Sequence, residues 1–240
     1  MPNIQVFETP EQVARAAAQF IVNLAKPVTR TRPFTVALSG GNTPRRVYEL
    51  LATDEFKVQV NWQLVQIFFG DERPVPPDDP ASNYGMALAT LISRVPIPES
   101  NVHPISGAGD PHENASSYQQ ELKSYFAGSA WPRFDLILLG MGEDGHTASL
   151  FPGSKALSEN EAWVAANWVE LLDELRITLT APAINSAVQI LFLVTGANKT
   201  AALAAVLSGP LQPDLLPAQL IKPSQGELVW MVDAAAASRL

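Results

Sequence analysis

Five short apolar runs constrain the fold of this chain more than any other feature. Four of the five runs are followed by glycine, threonine or aspartate, and the runs largely lack the alternation of polar and apolar residues that marks a half-exposed strand. We therefore predict strands that are buried on both faces, as in a parallel sheet. The runs are residues 34–38, 64–69, 134–139, 188–194 and 228–232.

Segments with helical signals separate these runs. Thr9 is followed by Pro10 and, three residues after it, by Gln12, which is the pattern of a capped helix start, and this helix is expected to run to about Ala25. A second helix is expected from Thr43, and further helices over residues 82–93, 113–126 and 198–207. Strands that alternate with helices predict an α/β fold: a mostly parallel, Rossmann-like sheet with helices on both faces.

We predict a single domain over residues 1–240, because no internal repeat or low-complexity linker interrupts the sequence. The composition is 47% hydrophobic and 17% charged, against ~25% charged residues in a typical domain, which argues against disorder. In this class of fold, ligands bind beyond the carboxyl ends of the strands. The loops after the buried runs are therefore where we look for chemistry.

The formal net charge of −8 argues against nucleic acid and anionic membranes as partners, since both bind clustered lysine and arginine. The absence of cysteine excludes thiolate nucleophiles and disulfides, and the three histidines lack a short metal-ligand spacing. The first residues carry no basic segment followed by an apolar one, and no apolar run reaches the ~20 residues of a membrane span. A cytoplasmic location is expected.

The loop after the first run has the composition of a phosphate cradle. Two adjacent glycines allow a tight turn and close approach to a ligand, and the helix that follows offers free N–H groups. The same residues also suit a plain strand-to-helix turn, and Ser39 in Ala37-x-Ser39-x-Gly41 allows a nucleophilic serine as an alternative. The loop residues are Ser39, Gly40, Gly41, Asn42 and Thr43.

Two further loops carry charged or titratable side chains. Asp71, Glu72 and Arg73 follow an apolar strand, where Arg73 suits a phosphate and Asp71 suits a sugar hydroxyl or a proton. Taken alone, however, this segment favours a surface ion pair between Glu72 and Arg73. The loop from Gly140 to Gly145 matches the spacing of a dinucleotide fingerprint. We reject a dinucleotide as the ligand because the acidic residues of this loop would face the pyrophosphate and because Pro152-Gly153 would end the required helix.

The same loop places a carboxylate and an imidazole two residues apart, at Asp144 and His146. A histidine with a pKa near ~6.5 can accept a proton at neutral pH. We therefore predict a catalytic role for His146, against the simpler interpretation of a loop histidine bonded to a backbone carbonyl.

Together, Ser39-Gly40-Gly41-Asn42-Thr43-Pro44, Gly70-Asp71-Glu72-Arg73 with Ser82-Asn83-Tyr84, and the segment from Gly140 to Gly153 resemble the 6-phosphogluconolactonases. That family shares a superfamily with the glucosamine-6-phosphate deaminases. Arg176-Ile177-Thr178-Leu179-Thr180 and Gly196-Ala197-Asn198-Lys199-Thr200-Ala201 extend the resemblance over nearly the whole chain. In the deaminases a glutamate assists the histidine, whereas Phe151 stands at that position here. Residues 170–175 depart from the lactonase pattern just before Arg176.

The resemblance implies hydrolysis of 6-phospho-D-glucono-1,5-lactone to 6-phosphogluconate in the oxidative pentose phosphate pathway. It implies that His146 activates water and that Asp144 or Asp71 orients the imidazole or a sugar hydroxyl. No metal or organic cofactor is implied, because a lactone is already an activated ester. The residues expected to hold the phosphate are Ser39, Gly40, Gly41, Asn42, Thr43, Arg73, Arg176 and Lys199.

The expected partner is the small sugar-phosphate lactone, bound by a monomeric protein. Three alternatives stay open at this point: a deaminase or isomerase acting on glucosamine 6-phosphate, a serine hydrolase that uses Ser39, and a sugar-phosphate sensor without catalysis.

Overall fold

The computed structural model describes residues 3–29 and 31–240 of the chain. The strands are β1 (Asn3–Phe7), β2 (Phe34–Leu38), β3 (Val65–Phe69), β4 (Asp71–Glu72), β5 (Leu136–Leu139), β6 (Val164–Val169), β7 (Glu174–Leu179), β8 (Gln189–Val194) and β9 (Glu227–Asp233). The α-helices are α1 (Pro10–Ala25), α2 (Asn42–Leu51), α3 (Asp54–Lys57), α4 (Asn83–Thr90), α5 (Pro111–Tyr125), α6 (Ala181–Asn185) and α7 (Thr200–Ser208).

The main sheet has six strands in the order β1-β9-β8-β5-β2-β3, and every pair in it is parallel. All residues of β2 and β5 are buried, as their unbroken apolar sequences predict. A second, antiparallel sheet has the order β4-β7-β6. It joins the main sheet at Gly70, whose carbonyl accepts a hydrogen bond from Leu179 N at 2.8 Å.

Helices cover both faces of the main sheet, as two consecutive side chains of β3 show. The Phe68 ring contacts Tyr125 at the end of α5, with 5.1 Å between ring centroids. The Phe69 ring contacts Tyr84 of α4 at 5.7 Å. Successive side chains of a strand point to opposite faces, so α4 and α5 lie on opposite sides of the sheet. The predicted α/β fold with a mostly parallel, Rossmann-like sheet is confirmed.

The first helix begins where its capping residues predict. Thr9 Oγ1 accepts a hydrogen bond from Gln12 N at 3.3 Å, and Gln12 Oε1 accepts one from Glu8 N at 2.9 Å. Val13 and Ala17, four residues apart, face the core and are fully buried. The cap determines where α1 starts, and the apolar face of α1 determines how the helix packs against the core.

Some elements differ from the prediction for identifiable reasons. Strand β1 is an edge strand with exposed and half-buried residues, so its sequence lacks the apolar run of a central strand. The antiparallel sheet was not predicted, because β4 has only two residues and β6 mixes buried with exposed positions. The helix expected over residues 82–93 ends at Thr90, and a separate 3₁₀ turn, Ile92–Arg94, follows.

The strands β8, β5, β2 and β3 are neighbours in the main sheet. Because they are parallel, the loops that follow their carboxyl ends meet at one edge of the sheet. The three loops singled out in the sequence follow β2, β3 and β5. Among the described residues, no helix has the length and apolar character needed to span a membrane.

Candidate active site

A cleft of about 440 Å³ opens at the carboxyl edge of the main sheet. All three predicted loops and the segment after β8 contribute to its walls. Its lining residues are Ser39, Gly40, Gly41, Asn42, Thr43, Pro44, Asp71, Arg73, Asn83, Gly140, Met141, Gly142, His146, Ala148, Leu193, Val194, Thr195, Asn198 and Lys199. The structure thus brings together residues that lie up to 160 positions apart in the sequence, from 39 to 199.

The titratable pair in the loop after β5 is formed by His146 and Asp144. His146 Nδ1 lies 2.6 Å from Asp144 Oδ1, and the same oxygen accepts a hydrogen bond from His146 N at 3.1 Å. The Phe151 ring stacks on the imidazole, with 4.0 Å between centroids and 23° between planes. Both the carboxylate and the phenyl ring therefore hold the imidazole in one orientation, with Nε2 left for a ligand.

The pairing also sets the charge of Asp144. Partial burial alone would raise the pKa of this carboxyl, but the hydrogen bond and the charge of His146 outweigh it, and the pKa lies below its ordinary value of 3.8. At neutral pH Asp144 is therefore an ionised acceptor. An ionised acceptor at Nδ1 favours the tautomer that carries its proton there.

Gly142 makes room for this pair. A Cβ atom on Gly142 would lie 2.1 Å from His146 Nδ1 and 2.4 Å from Asp144 Oδ1, so any side chain there would displace both groups. The turn is closed by Gly142 N, which donates to His146 O at 2.9 Å. Gly145 has a φ of 77°, a conformation that glycine adopts without strain.

The loop after β2 presents backbone groups to the cleft. Gly41, with a φ of 104°, turns the chain into α2, and no side chain caps the first N–H groups of that helix. The uncapped amides and the helix dipole favour an anion at this point. Thr43 Oγ1 and Thr195 Oγ1 are 2.8 Å apart, which ties the loop to the end of β8.

Asp71 lies in the same cleft and is buried, but its contacts differ from those of Asp144. Asp71 Oδ2 accepts a hydrogen bond from Ser149 Oγ at 2.7 Å, and Oδ1 accepts one from Asn83 Nδ2 at 3.2 Å. Asp144 is the carboxylate that contacts the His146 ring. The structure thus separates two carboxylates that the sequence left interchangeable.

The neighbouring Glu72 serves the fold instead of the cleft. It is 1% exposed, and its oxygens accept hydrogen bonds from Asn83 N and Tyr84 N, each at 2.8 Å, at the start of α4. Burial raises the pKa of Glu72 although these backbone bonds oppose the shift. The surface ion pair with Arg73 that the sequence allowed is therefore not formed.

The three predicted cations lie at different distances from the cleft. Arg73 and Lys199 line it, and the Arg73 guanidinium also donates to Ala81 O. Arg176 does not line it: its side chain is 11% exposed and pairs with Glu174. Burial, followed by the nearby charge of Arg73, lowers the pKa of Arg176. Arg176 is thus a further positive charge close enough to Arg73 to interact with it, but it is outside the lining of the cleft.

For several residues that the structure places in the site, the sequence predicted no role there. Asn83, which looks like part of a helix cap, donates to Asp71 and also fills the space at Gly40, where a Cβ would lie 1.9 Å from Asn83 Oδ1. Thr195 and Asn198 line the cleft. They follow the buried strand β8, so the strand-end rule that identified the other loops would have found them.

The serine-nucleophile alternative lacks a base. Ser39 Oγ is buried, and none of the described residues gives it a hydrogen-bond partner. A nucleophilic serine needs a base within hydrogen-bond distance. The described residues also contain no group of three or more His, Asp or Glu side chains placed to hold a metal ion.

The fold and the cleft together define an α/β enzyme with a histidine–carboxylate pair. Residues 8–230 match the family model described as glucosamine-6-phosphate isomerases/6-phosphogluconolactonase. The chain belongs to this family, and the resemblance found in its sequence motifs is confirmed.

Curated relatives and solved structures narrow this result. The chain is 40% identical over 231 residues to a 6-phosphogluconolactonase from Synechocystis, covering 95% of this chain and 93% of the relative. It is 39% identical, with the same coverage, to a 6-phosphogluconolactonase from Nostoc. A solved 6-phosphogluconolactonase from Trypanosoma cruzi matches with a TM-score of 0.88 at 30% identity, covering 100% of this chain and 97% of that one.

Proposed function

We propose that this protein hydrolyses 6-phospho-D-glucono-1,5-lactone to 6-phosphogluconate, a step of the oxidative pentose phosphate pathway. The observation that carries the proposal is one cleft containing both the His146–Asp144 pair and the uncapped start of α2. The first group suits activation of water, and the second suits a phosphate. The relatives described above carry the name of this activity.

His146 acts as the general base in this proposal. With Nδ1 facing Asp144, Nε2 takes a proton from water as the water oxygen attacks the lactone carbonyl carbon. The tetrahedral oxyanion then collapses and breaks the bond to the ring oxygen. That oxygen takes the proton from the imidazolium and leaves as the C5 hydroxyl. The neutral imidazole is regenerated, and the new carboxylic acid ionises in water.

The phosphate is held by the start of α2 and by the cations of the cleft. Ser39, Gly40, Gly41, Asn42 and Thr43 supply the loop, and Arg73 and Lys199 supply charge from the wall. Arg176, whose charge interacts with that of Arg73, adds a further positive charge near the cleft wall. Such anchoring at a distance from the carbonyl places the reactive carbon beside His146. Asp71, fixed by Ser149 and Asn83, accepts a hydrogen bond from a sugar hydroxyl.

The deaminase alternative is disfavoured by Phe151. The glutamate that assists the histidine in deaminases is replaced here by a phenyl ring stacked on the imidazole. A phenyl ring cannot relay a proton, so ring opening and amine chemistry lose their second acid–base group. A lactone needs no such group, because its ester is already activated.

Two assays run on the same protein test the proposal. One follows acid release from 6-phospho-D-glucono-1,5-lactone, corrected for spontaneous hydrolysis, and the other follows ammonia release from glucosamine 6-phosphate. We expect lactone hydrolysis and no ammonia. Ammonia without lactonase activity would establish the deaminase, and labelling of Ser39 by a fluorophosphonate would establish the serine hydrolase. Ligand binding without any turnover would establish a sensor.

We further propose that the enzyme works as a cytoplasmic monomer and does not bind nucleic acid. The net charge of −8 supports the last part, because it repels phosphate backbones. Light scattering coupled to size-exclusion chromatography tests the oligomeric state. A mass near 25.9 kDa is expected, and twice that mass would contradict the proposal.

A further inference from the structure

A buried tyrosine closes the loop that faces the phosphate. Tyr48, on α2, is fully buried, and its hydroxyl makes two hydrogen bonds to one residue. Ser39 N donates to Tyr48 Oη at 3.0 Å, and Tyr48 Oη donates to Ser39 O at 2.8 Å. Burial raises the pKa of Tyr48 well above its ordinary value of 10.0, so the hydroxyl keeps the proton that it donates.

The position of Ser39 explains why its backbone needs this partner. Strand β2 ends at Leu38, the last residue that pairs with β3, so Ser39 has left the ladder of the sheet. Backbone groups that are buried without a partner cost free energy. The Tyr48 hydroxyl supplies the hydrogen-bond partner that the sheet no longer provides to the backbone of Ser39.

The two hydrogen bonds also connect the beginning of the loop, at Ser39, to the helix that follows the loop. Tyr48 lies on the same helix whose first residues, Asn42 and Thr43, border the cleft. Between Ser39 and that helix start lie Gly40 and Gly41, which by themselves allow many backbone conformations. The hydroxyl therefore holds the beginning of the loop to the body of the helix that ends it.

The molecule contains a second tyrosine with the same geometry. On α5, Tyr118 Oη accepts a hydrogen bond from Phe69 N at 2.9 Å and donates one to Phe69 O at 3.1 Å. Tyr118 is buried like Tyr48, but its partner Phe69 is still paired with Leu38 in the sheet, whereas Ser39 lies one residue beyond the end of β2. The segment after Phe69 leads to Asp71 and Arg73, which line the cleft, but the pairing of Phe69 with Leu38 in the sheet should hold this backbone in place when the Tyr118 hydroxyl is lost. Tyr118 thus provides a matched control within the same chain.

We propose that Tyr48 is a positioning residue for phosphate binding, acting through the backbone of Ser39 without contacting the ligand. The inference rests on the proposed function, since it assigns the loop of residues 39–43 to the phosphate of the substrate. The hydroxyl holds the loop amides and the start of α2 in the arrangement that receives the anion. Removing it leaves the loop glycines free to adopt other conformations.

The test compares Tyr48→Phe with Tyr118→Phe in the full-length protein. Inorganic phosphate is titrated by isothermal calorimetry, which needs no turnover. Tyr48→Phe should weaken phosphate binding about tenfold, whereas Tyr118→Phe should leave the Kd within about twofold of wild type. Both variants lose one buried hydroxyl with two backbone bonds, so similar falls in Tm are expected.

Kinetics supply a second readout that a loss of stability alone would not change. With the phosphorylated lactone, Tyr48→Phe should raise KM about tenfold while the pH dependence of kcat, set by His146, stays as in wild type. An unchanged Kd in Tyr48→Phe, or an equal loss in Tyr118→Phe, would overturn the inference. If Tyr48→Phe weakens phosphate binding in a protein that hydrolyses no lactone, the positioning role stands and only the proposed reaction falls.

Discussion

The loops after β2 and β5 reach the same cleft but are built from different chemical groups. The loop of residues 140–153 presents side chains, with Asp144 and Phe151 holding the imidazole of His146. The loop of residues 39–43 presents backbone groups and an uncapped helix start. Substitutions in the first loop should therefore change kcat, and substitutions around the second should change KM.

The largest effect is expected when the base itself is removed. His146→Ala should lower kcat roughly 10³-fold, the size of contribution that a general base makes, while KM changes little. Steady-state lactone hydrolysis measures both constants. Phosphate affinity by calorimetry serves as the control, because the other loop should be unaffected. A near-normal kcat would place the base elsewhere.

A substitution that adds a single methyl group tests whether catalysis depends on the orientation of the His146 imidazole as well as on its presence. Gly142→Ala should lower kcat about 100-fold, because the new Cβ would displace the imidazole and its carboxylate. Gly140→Ala is the comparison in the same loop: Gly140 also lines the cleft, but a Cβ there would meet no heavy atom of the protein within 4 Å, so it adds bulk without displacing His146. Equal losses in the two variants would show that the loop tolerates no side chain at all, and orientation of His146 would not explain them.

Arg73, on the cleft wall beside the loop of residues 39–43, tests whether phosphate binding can be weakened without loss of kcat. Arg73→Ala should raise KM about tenfold with a small change in kcat, because it removes a charge from the cleft wall and leaves the histidine pair in place. Arg176→Ala should raise KM less, because Arg176 does not line the cleft. A larger effect at Arg176 would contradict this order. Steady-state kinetics on both variants measure which substitution raises KM more.

Much of this architecture could be predicted from the sequence, because burial on both faces leaves an unbroken apolar run. Strand β2 follows this rule completely, and the rule also located the loops that meet in the cleft. The antiparallel sheet escaped prediction because its pairing depends on distant partners, such as Asp71 opposite Thr178. Contacts of this range leave no local pattern in the chain.

Many members of the candidate site could be predicted from the sequence, but the contacts between them could not. The sequence named Asp71 and Asp144 as two equal candidates for the partner of His146. Only the turn at Gly142, which brings Asp144 Oδ1 within 2.6 Å of the ring, distinguishes them. Likewise, Arg176 has the residue type of a phosphate ligand, but its side chain pairs with Glu174 and does not line the cleft.

The smallest expected effect is a pH-dependent change in Tm when Asp144 is replaced. Its pKa in the folded protein lies below the ordinary value of 3.8, so the ionised form stabilises the fold above that value. This contribution is lost as the pH falls through the lower, folded-state pKa. Because the group is partly exposed, Asp144→Asn should lower Tm by roughly 2 °C at pH 5. The difference from wild type should shrink below pH 3.8.

Asp110 provides the control that separates this linkage from catalysis. Its carboxylate caps α5 by accepting hydrogen bonds from Glu113 N and His112 N, which lower its pKa in the same direction. Asp110→Asn should therefore show a similar pH-dependent change in Tm, while only Asp144→Asn also lowers kcat. If the Tm difference for Asp144→Asn instead widened toward low pH, Asp144 would be protonated in the folded enzyme. An ionised partner could then not hold the His146 tautomer, and the distinction between the two loops would need another origin.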